Sequence, residues 1–177
     1  MGLTGFAIVL CLGGLIIWLI YTYNRFLGKQ SKIDKLWDEV DTHLKLRRKL
    51  IPDLIQAEND RMREAAPLFD RVCTLRKDIE SADDEDEIDE RLENEMSGLM
   101  QQIREIAQTH PELMSDQKFI SLLGELVSIE GRAASACEIH NQLVRDFNEA
   151  IKSFPANLVV RFLHFSPCEM RIFGVLN

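Results

Sequence analysis

The sequence predicts an all-α protein: an N-terminal transmembrane helix that continues into an elongated antiparallel four-helix bundle. Three observations carry this expectation. Residues 1–24 hold no charged side chain, and Gly5 to Tyr23 is a near-continuous apolar run. Downstream, apolar residues recur at alternating spacings of three and four, the period of one helix face. The composition is rich in Leu, Ile, Glu, Asp, Arg and Gln, with few Thr, Tyr and Trp and almost no Gly or Pro inside the periodic stretches, which disfavours strands.

The first element, residues 1–24, reads as a membrane anchor. A helix crossing a hydrocarbon core needs about 20 mostly apolar residues, and Trp18, Tyr21 and Tyr23 sit where an interfacial aromatic belt belongs. A cleaved signal peptide would carry a basic leader, a shorter apolar stretch and a small-x-small cleavage site, and none is present. The far flank has Arg25, Lys29, Lys32 and Lys35 against one nearby acid, Asp34. The positive-inside bias then places the N-terminus outside and the remaining domain in the cytoplasm, as for a single-pass membrane protein. Gly13 and Gly14 fall outside a Gly-x-x-x-Gly spacing, so close packing of two anchors has little support.

Residues 25–154 then form the bundle, with helices expected at about 25–64, 67–81, 87–109 and 116–154. In the first, Ile33, Trp37, Val40, Leu44, Ile51 and Leu54 make one face, and Arg47 occupies a slot where an apolar residue belongs. Pro52 lies inside it; because the periodicity resumes at Leu54, a kink is expected there rather than a stop. The second helix carries Leu68, Phe69, Val72, Leu75 and Ile79. From Asp83 to Glu90, seven of eight residues are acidic. This run lacks the ligand alternation and central Gly of a calcium loop and reads as a solvated hinge whose last acids favour a helix N-terminus. The third helix has Ile88, Leu92, Met96, Leu99, Ile103 and Ile106 on one stripe and stops before Pro111. The fourth is capped by Ser115 or Asp116 and has a heptad-like face, Phe119, Leu122/Leu123, Leu126, Ile129, Ala133, Cys137, His140, Val144, Phe147, Ile151 and Phe154. Ala133, Ala134, Ala136 and Cys137 imply a close helix–helix approach in its middle.

Length adds a geometric result. The first and last bundle helices are each roughly 60 Å long at about 1.5 Å per residue, so they can pair antiparallel along their length. The end of the fourth helix is thereby returned to the bilayer surface. The C-terminal segment, residues 155–177, begins with an apolar cluster, Leu158, Val159, Val160, Phe162, Leu163 and Phe165. It is read as an interfacial tail in contact with the membrane, with a cap folded back on the bundle as the competing possibility. The same arithmetic sets a register. Arg47 lies about 23 residues beyond Asn24, so its neighbour on the fourth helix lies about 23 residues before Phe154, next to Glu130. An Arg47–Glu130 or Arg48–Glu130 ion pair is predicted as a structural, register-setting device, with Glu125 the less well placed alternative.

These residues resemble the bacterial LemA family. Tyr23-Asn24, Trp37 and the segment Leu44 to Ile55, containing Arg47-Arg48-Lys49-Leu50-Ile51-Pro52-Asp53-Leu54, are similar to its Arg-Arg-x-Leu-Ile-Pro-x-Leu signature. His110-Pro111-Glu112-Leu113, Phe119, Glu125 and Glu130 resemble its Tyr-Pro-x-Leu…Phe…Glu pattern, and Phe147-Asn148…Ile151…Phe154-Pro155-Ala156-Asn157 its closing Tyr-Asn…Phe-Pro-x-Asn motif. The departures are His110 and Phe147 where tyrosines are usual, the acidic hinge, and the tail after Phe165. The resemblance implies a single-pass membrane protein with a helical-bundle domain and carries no agreed biochemical activity.

Several functions are disfavoured by the residues themselves. A formal net charge of −8, with acids spread through the domain, provides no basic face for nucleic acid. Cys11, Cys73, Cys137 and Cys168 are far apart and read as reduced thiols in a reducing compartment. Cys137-x-x-His140 could be half a metal site or a nucleophile with its base, but both positions fall on the buried stripe without a third partner, so a small core residue and a core histidine are the better reading. No phosphate loop, His-Glu-x-x-His or Gly-x-Ser-x-Gly occurs. No catalytic, cofactor or metal residue is assigned, and no cofactor is expected. The remaining expectation is a membrane-anchored helical scaffold or interaction protein whose partners are the lipid bilayer and other copies of itself or another membrane protein. The alternative is an accessory or regulatory subunit of a peptidase or transporter.

Overall fold

The computed structural model describes residues 2–58, 66–82, 89–111, 115–155, 157, 160 and 166–171. Among these are four helices and no strand: α1 (Leu3–Glu58), α2 (Ala66–Ala82), α3 (Glu90–Thr109) and α4 (Gln117–Lys152). The protein is all-α. The apolar run and the first bundle helix are one continuous element, α1, which also passes through the exposed Pro52 and continues to Glu58. A proline on the solvent side of a long helix removes one backbone bond without burying the group it displaces. Residues 59–64, expected to extend this helix, and Ile88 of the third stripe lie outside the described residues.

Helix ends obey local chemistry. Pro67 sits in the first turn of α2, where a missing N–H costs nothing. Asp89 caps α3, its Oδ1 accepting from Arg91 N at 3.0 Å and Leu92 N at 3.2 Å. The helix thus begins at Glu90 rather than near 87. His110, held extended ahead of Pro111, ends it. Of the two candidate caps for α4, Asp116 has the role: its Oδ1 accepts from Lys118 N at 2.9 Å and Phe119 N at 3.2 Å. The far end differs from expectation. α4 stops at Lys152, and Phe154 is 81% exposed rather than on the buried face. The residue before a proline is pushed out of helical geometry, so Pro155 ends the helix early and releases Phe154 from the stripe.

The chain forms two compact units, Met1–Leu36 with Ile139–Met170, and Trp37–Glu138 with Arg171–Asn177. In the first, Phe26 and Ile33 of α1 pack on Val144, Phe147 and Ile151 of α4. Phe26 meets Phe147 edge to face, with centroids 5.8 Å apart. A helix pair leaves one side of such a cluster open, and Val160 and Cys168 cover part of it. Asn148 on α4 fixes Cys168, its Nδ2 donating to the Cys168 carbonyl at 2.8 Å and its Oδ1 accepting from Cys168 N at 3.0 Å. Val160, one of the residues read as interfacial, is half-buried against protein. Leu158, Val159, Phe162, Leu163 and Phe165 lie outside the described residues.

The second unit has two layers of core. In one, all four helices meet: Ile51 and Leu54 of α1, Phe69, Val72 and Leu75 of α2, Met96, Met100 and Ile103 of α3, Phe119 and Leu126 of α4. In the other, α1 and α4 supply the residues, Val40 and Leu44 against Ala133, Ala136 and Cys137, with Trp37 alongside. The small α4 residues let the two helices approach closely. Arg171 caps this layer, lying over the Trp37 ring at 5.2 Å and pairing with Glu90 at 3.1 Å.

Candidate functional site

The most unusual chemistry in the described residues is a buried ionic cluster in the second unit. Arg47 and Arg48 come from α1, Glu93 and Ser97 from α3, Glu130 from α4, and each is at most 6% exposed. Arg47 is placed there by its helix face. It falls between Leu44 and Ile51 on the stripe that both residues bury, so the guanidinium has to enter the interior. Its Nη1 donates to Glu130 Oε1 at 3.0 Å and to Ser97 Oγ at 2.6 Å; its Nη2 donates to the Glu93 carbonyl at 3.2 Å and also to Glu93 Oε2. Arg48 donates to the other carboxylate oxygen, Glu93 Oε1. Glu93 therefore bridges two adjacent arginines, and Arg47 joins α1, α3 and α4 through one side chain.

Burial pushes the Glu130 carboxyl above the usual carboxylate range, while Arg47 beside it and the more distant charge of Arg104 pull it back. The cluster contains two guanidinium and two carboxyl groups. Breaking such a pair leaves an uncompensated charge in the interior, which makes its geometry specific even where its net contribution to stability is small.

Of the residues singled out from the sequence, Arg47 and Glu130 are brought together, Arg48 joins them through Glu93, and Pro52 lies one turn beyond on the exposed side of α1. Glu93 and Ser97 were missed. The α3 stripe extends three residues upstream of Met96 to Glu93, and a second carboxylate was required by the second arginine; both signals point to it. Cys137 and His140 are each buried. The Cys137 thiol lies 3.7 Å from the Arg171 carbonyl, and His140 Nδ1 lies 3.3 Å from Asn141 Oδ1. Burial, with a smaller contribution from the Asp34 charge, pushes the Cys168 thiol up. Among the described residues no group of three or more His, Cys, Asp or Glu side chains is arranged to hold a metal ion.

The family profile of LemA matches residues 36–175. The chain belongs to the LemA family. The match spans the cluster and the Asn148–Cys168 contact together, so the LemA region includes α3, α4 and the part of α1 from residue 36 onward that carries Arg47 and Arg48. No curated protein shows a significant match to the chain. Family membership and the single helix among the described residues that is long and apolar enough to cross a bilayer are both consistent with a membrane protein.

Proposed function

We propose that this LemA protein is a single-pass, membrane-anchored helical interaction protein that acts by binding and self-association rather than by catalysis. The observation that carries the reading is the continuity of α1. Its first part exposes Phe6, Val9, Leu10, Ile16, Ile17 and Ile20, all more than half accessible, and the same helix then enters a packed core at Phe26. An apolar surface of that extent needs a lipid environment, and a continuous helix ties the anchor directly to the core it enters. The basic flank from Arg25 to Lys35 supports a cytoplasmic location for the bundle and an extracytoplasmic N-terminus in a bacterial inner membrane. Exposed apolar residues on the bundle, among them Leu46, Val127 and Ile139, are candidates for contacts between chains.

The test is the mass of the full-length protein in mild detergent, measured by light scattering against a chain mass of 20.4 kDa. A discrete multiple of that mass is the expected result. A monomer would overturn self-association and transfer the function to an accessory role on another membrane protein.

A further inference from the structure

Where the apolar run of α1 gives way to its first cations, the first unit holds a cavity of about 220 Å³. Trp18 and Thr22 line it on the apolar side, Arg25 and Lys29 come next along α1, and Ser153 and Phe154 close it from the end of α4. Arg25 is the first charged side chain of the sequence. Residues four apart on a helix share a face, so both cations address the same space. Among the described residues neither has an ion-pair or hydrogen-bond partner. At the rim stands Phe154, 81% exposed and released from its helix by Pro155.

Two cations with no partner among the described residues, a hydroxyl and an indole, with a projecting phenyl ring beside them, match a ligand that is anionic at one end and apolar at the other. We propose that this cavity binds the phosphate headgroup of an anionic phospholipid, Arg25 and Lys29 taking the phosphate and Trp18 and Phe154 lying along the start of the acyl chains. The inference rests on α1 crossing a bilayer, because the crossing sets the cavity at headgroup depth. Arginine suits phosphate oxygens through its planar fork and lysine as a compact charge. On the flank that carries the cations, anionic lipids add further attraction for basic residues. A free phosphate ion would leave Trp18 and Phe154 without a role.

The test uses the full chain in nanodiscs of phosphatidylcholine containing a minority of phosphatidylglycerol, with retained lipids counted by native mass spectrometry. Wild type is expected to retain phosphatidylglycerol selectively. Arg25→Gln/Lys29→Gln, which leaves Lys32 and Lys35 in the flank, should weaken retention roughly 10- to 30-fold. Ser153→Trp, which fills the cavity and keeps both cations, should lose retention as well. Equal retention of the two lipids would overturn the proposal. So would loss in the charge variant alone, which is bulk surface attraction, or binding of inorganic phosphate by lipid-free protein with the same Arg25 and Lys29 dependence. Carbonate extraction of wild type from membranes is read separately: release of the protein would sink the anchoring premise, whereas a retained protein without selectivity sinks the lipid site.

Discussion

Replacing Arg47 with methionine is the sharpest perturbation of the bundle. The side chain is fully buried and supports contacts to Ser97, Glu130 and both the carbonyl and carboxylate of Glu93. Methionine fills most of the volume but returns no donor. Glu93 keeps Arg48, so the larger loss falls on Glu130, whose carboxyl is already disfavoured in its charged form by burial. Removing one partner of a buried ion pair costs about 3–5 kcal/mol, against a total stability of about 5–15 kcal/mol for a domain. For a chain of this size that corresponds to a fall in melting temperature of roughly 6–20 °C, read from the helical circular dichroism signal of the full-length protein in detergent. A cycle with Glu130→Gln should give a coupling of about 0.5–3 kcal/mol, the double variant losing less than the sum of the singles. A variant within about 1 kcal/mol of wild type, or zero coupling, would refute the assignment of Arg47 as the residue that joins α1, α3 and α4.

The raised Glu130 carboxyl has a pH signature: its stabilising contribution is complete in acid, below the ordinary carboxylate value, and is lost as pH rises through the higher folded-state value, so over that rise wild type should lose stability relative to Glu130→Gln. A gain by wild type over the same window would contradict the sign. Asn148→Ala removes both bonds to the Cys168 backbone, and limited proteolysis should then cleave the segment after α4 several-fold faster while the helical signal is little changed. Asp116→Ala deletes the α4 cap and should cost about 1 kcal/mol in thermal unfolding; an unchanged melting temperature would contradict the capping role.

Much of this architecture was legible from periodicity, and the parts that were not share a cause. Arg47 stood out because a charge occupied a core slot, and Glu130 emerged from counting residues along two helices that had to pair. Glu93 was hidden because it comes just after a dense acidic run, where a carboxylate reads as one more solvated charge; only the pairing of α3 with α1 shows which acid turns inward. Phe154 was assigned to the core by extending the heptad to the proline, yet the proline acts on the residue before it and so shortens the stripe. The segment after α4 is read from its apolar content and from the helix lengths that return it to the bilayer surface. Apolar residues suit a bilayer surface and an uncovered helix pair equally well, and the feature that holds Cys168 is Asn148, a polar residue whose bonds to a distant backbone no spacing rule anticipates.

The central proposal is an anchored protein with its bundle on the cytoplasmic side, and single-cysteine labelling tests it most directly. Gly2→Cys and Asp78→Cys, both at exposed positions, would each be placed in a chain whose Cys11, Cys73, Cys137 and Cys168 are replaced by alanine. In intact spheroplasts a membrane-impermeant maleimide is expected to label position 2 and to reach position 78 only after lysis. Labelling of position 78 in intact spheroplasts would contradict the account.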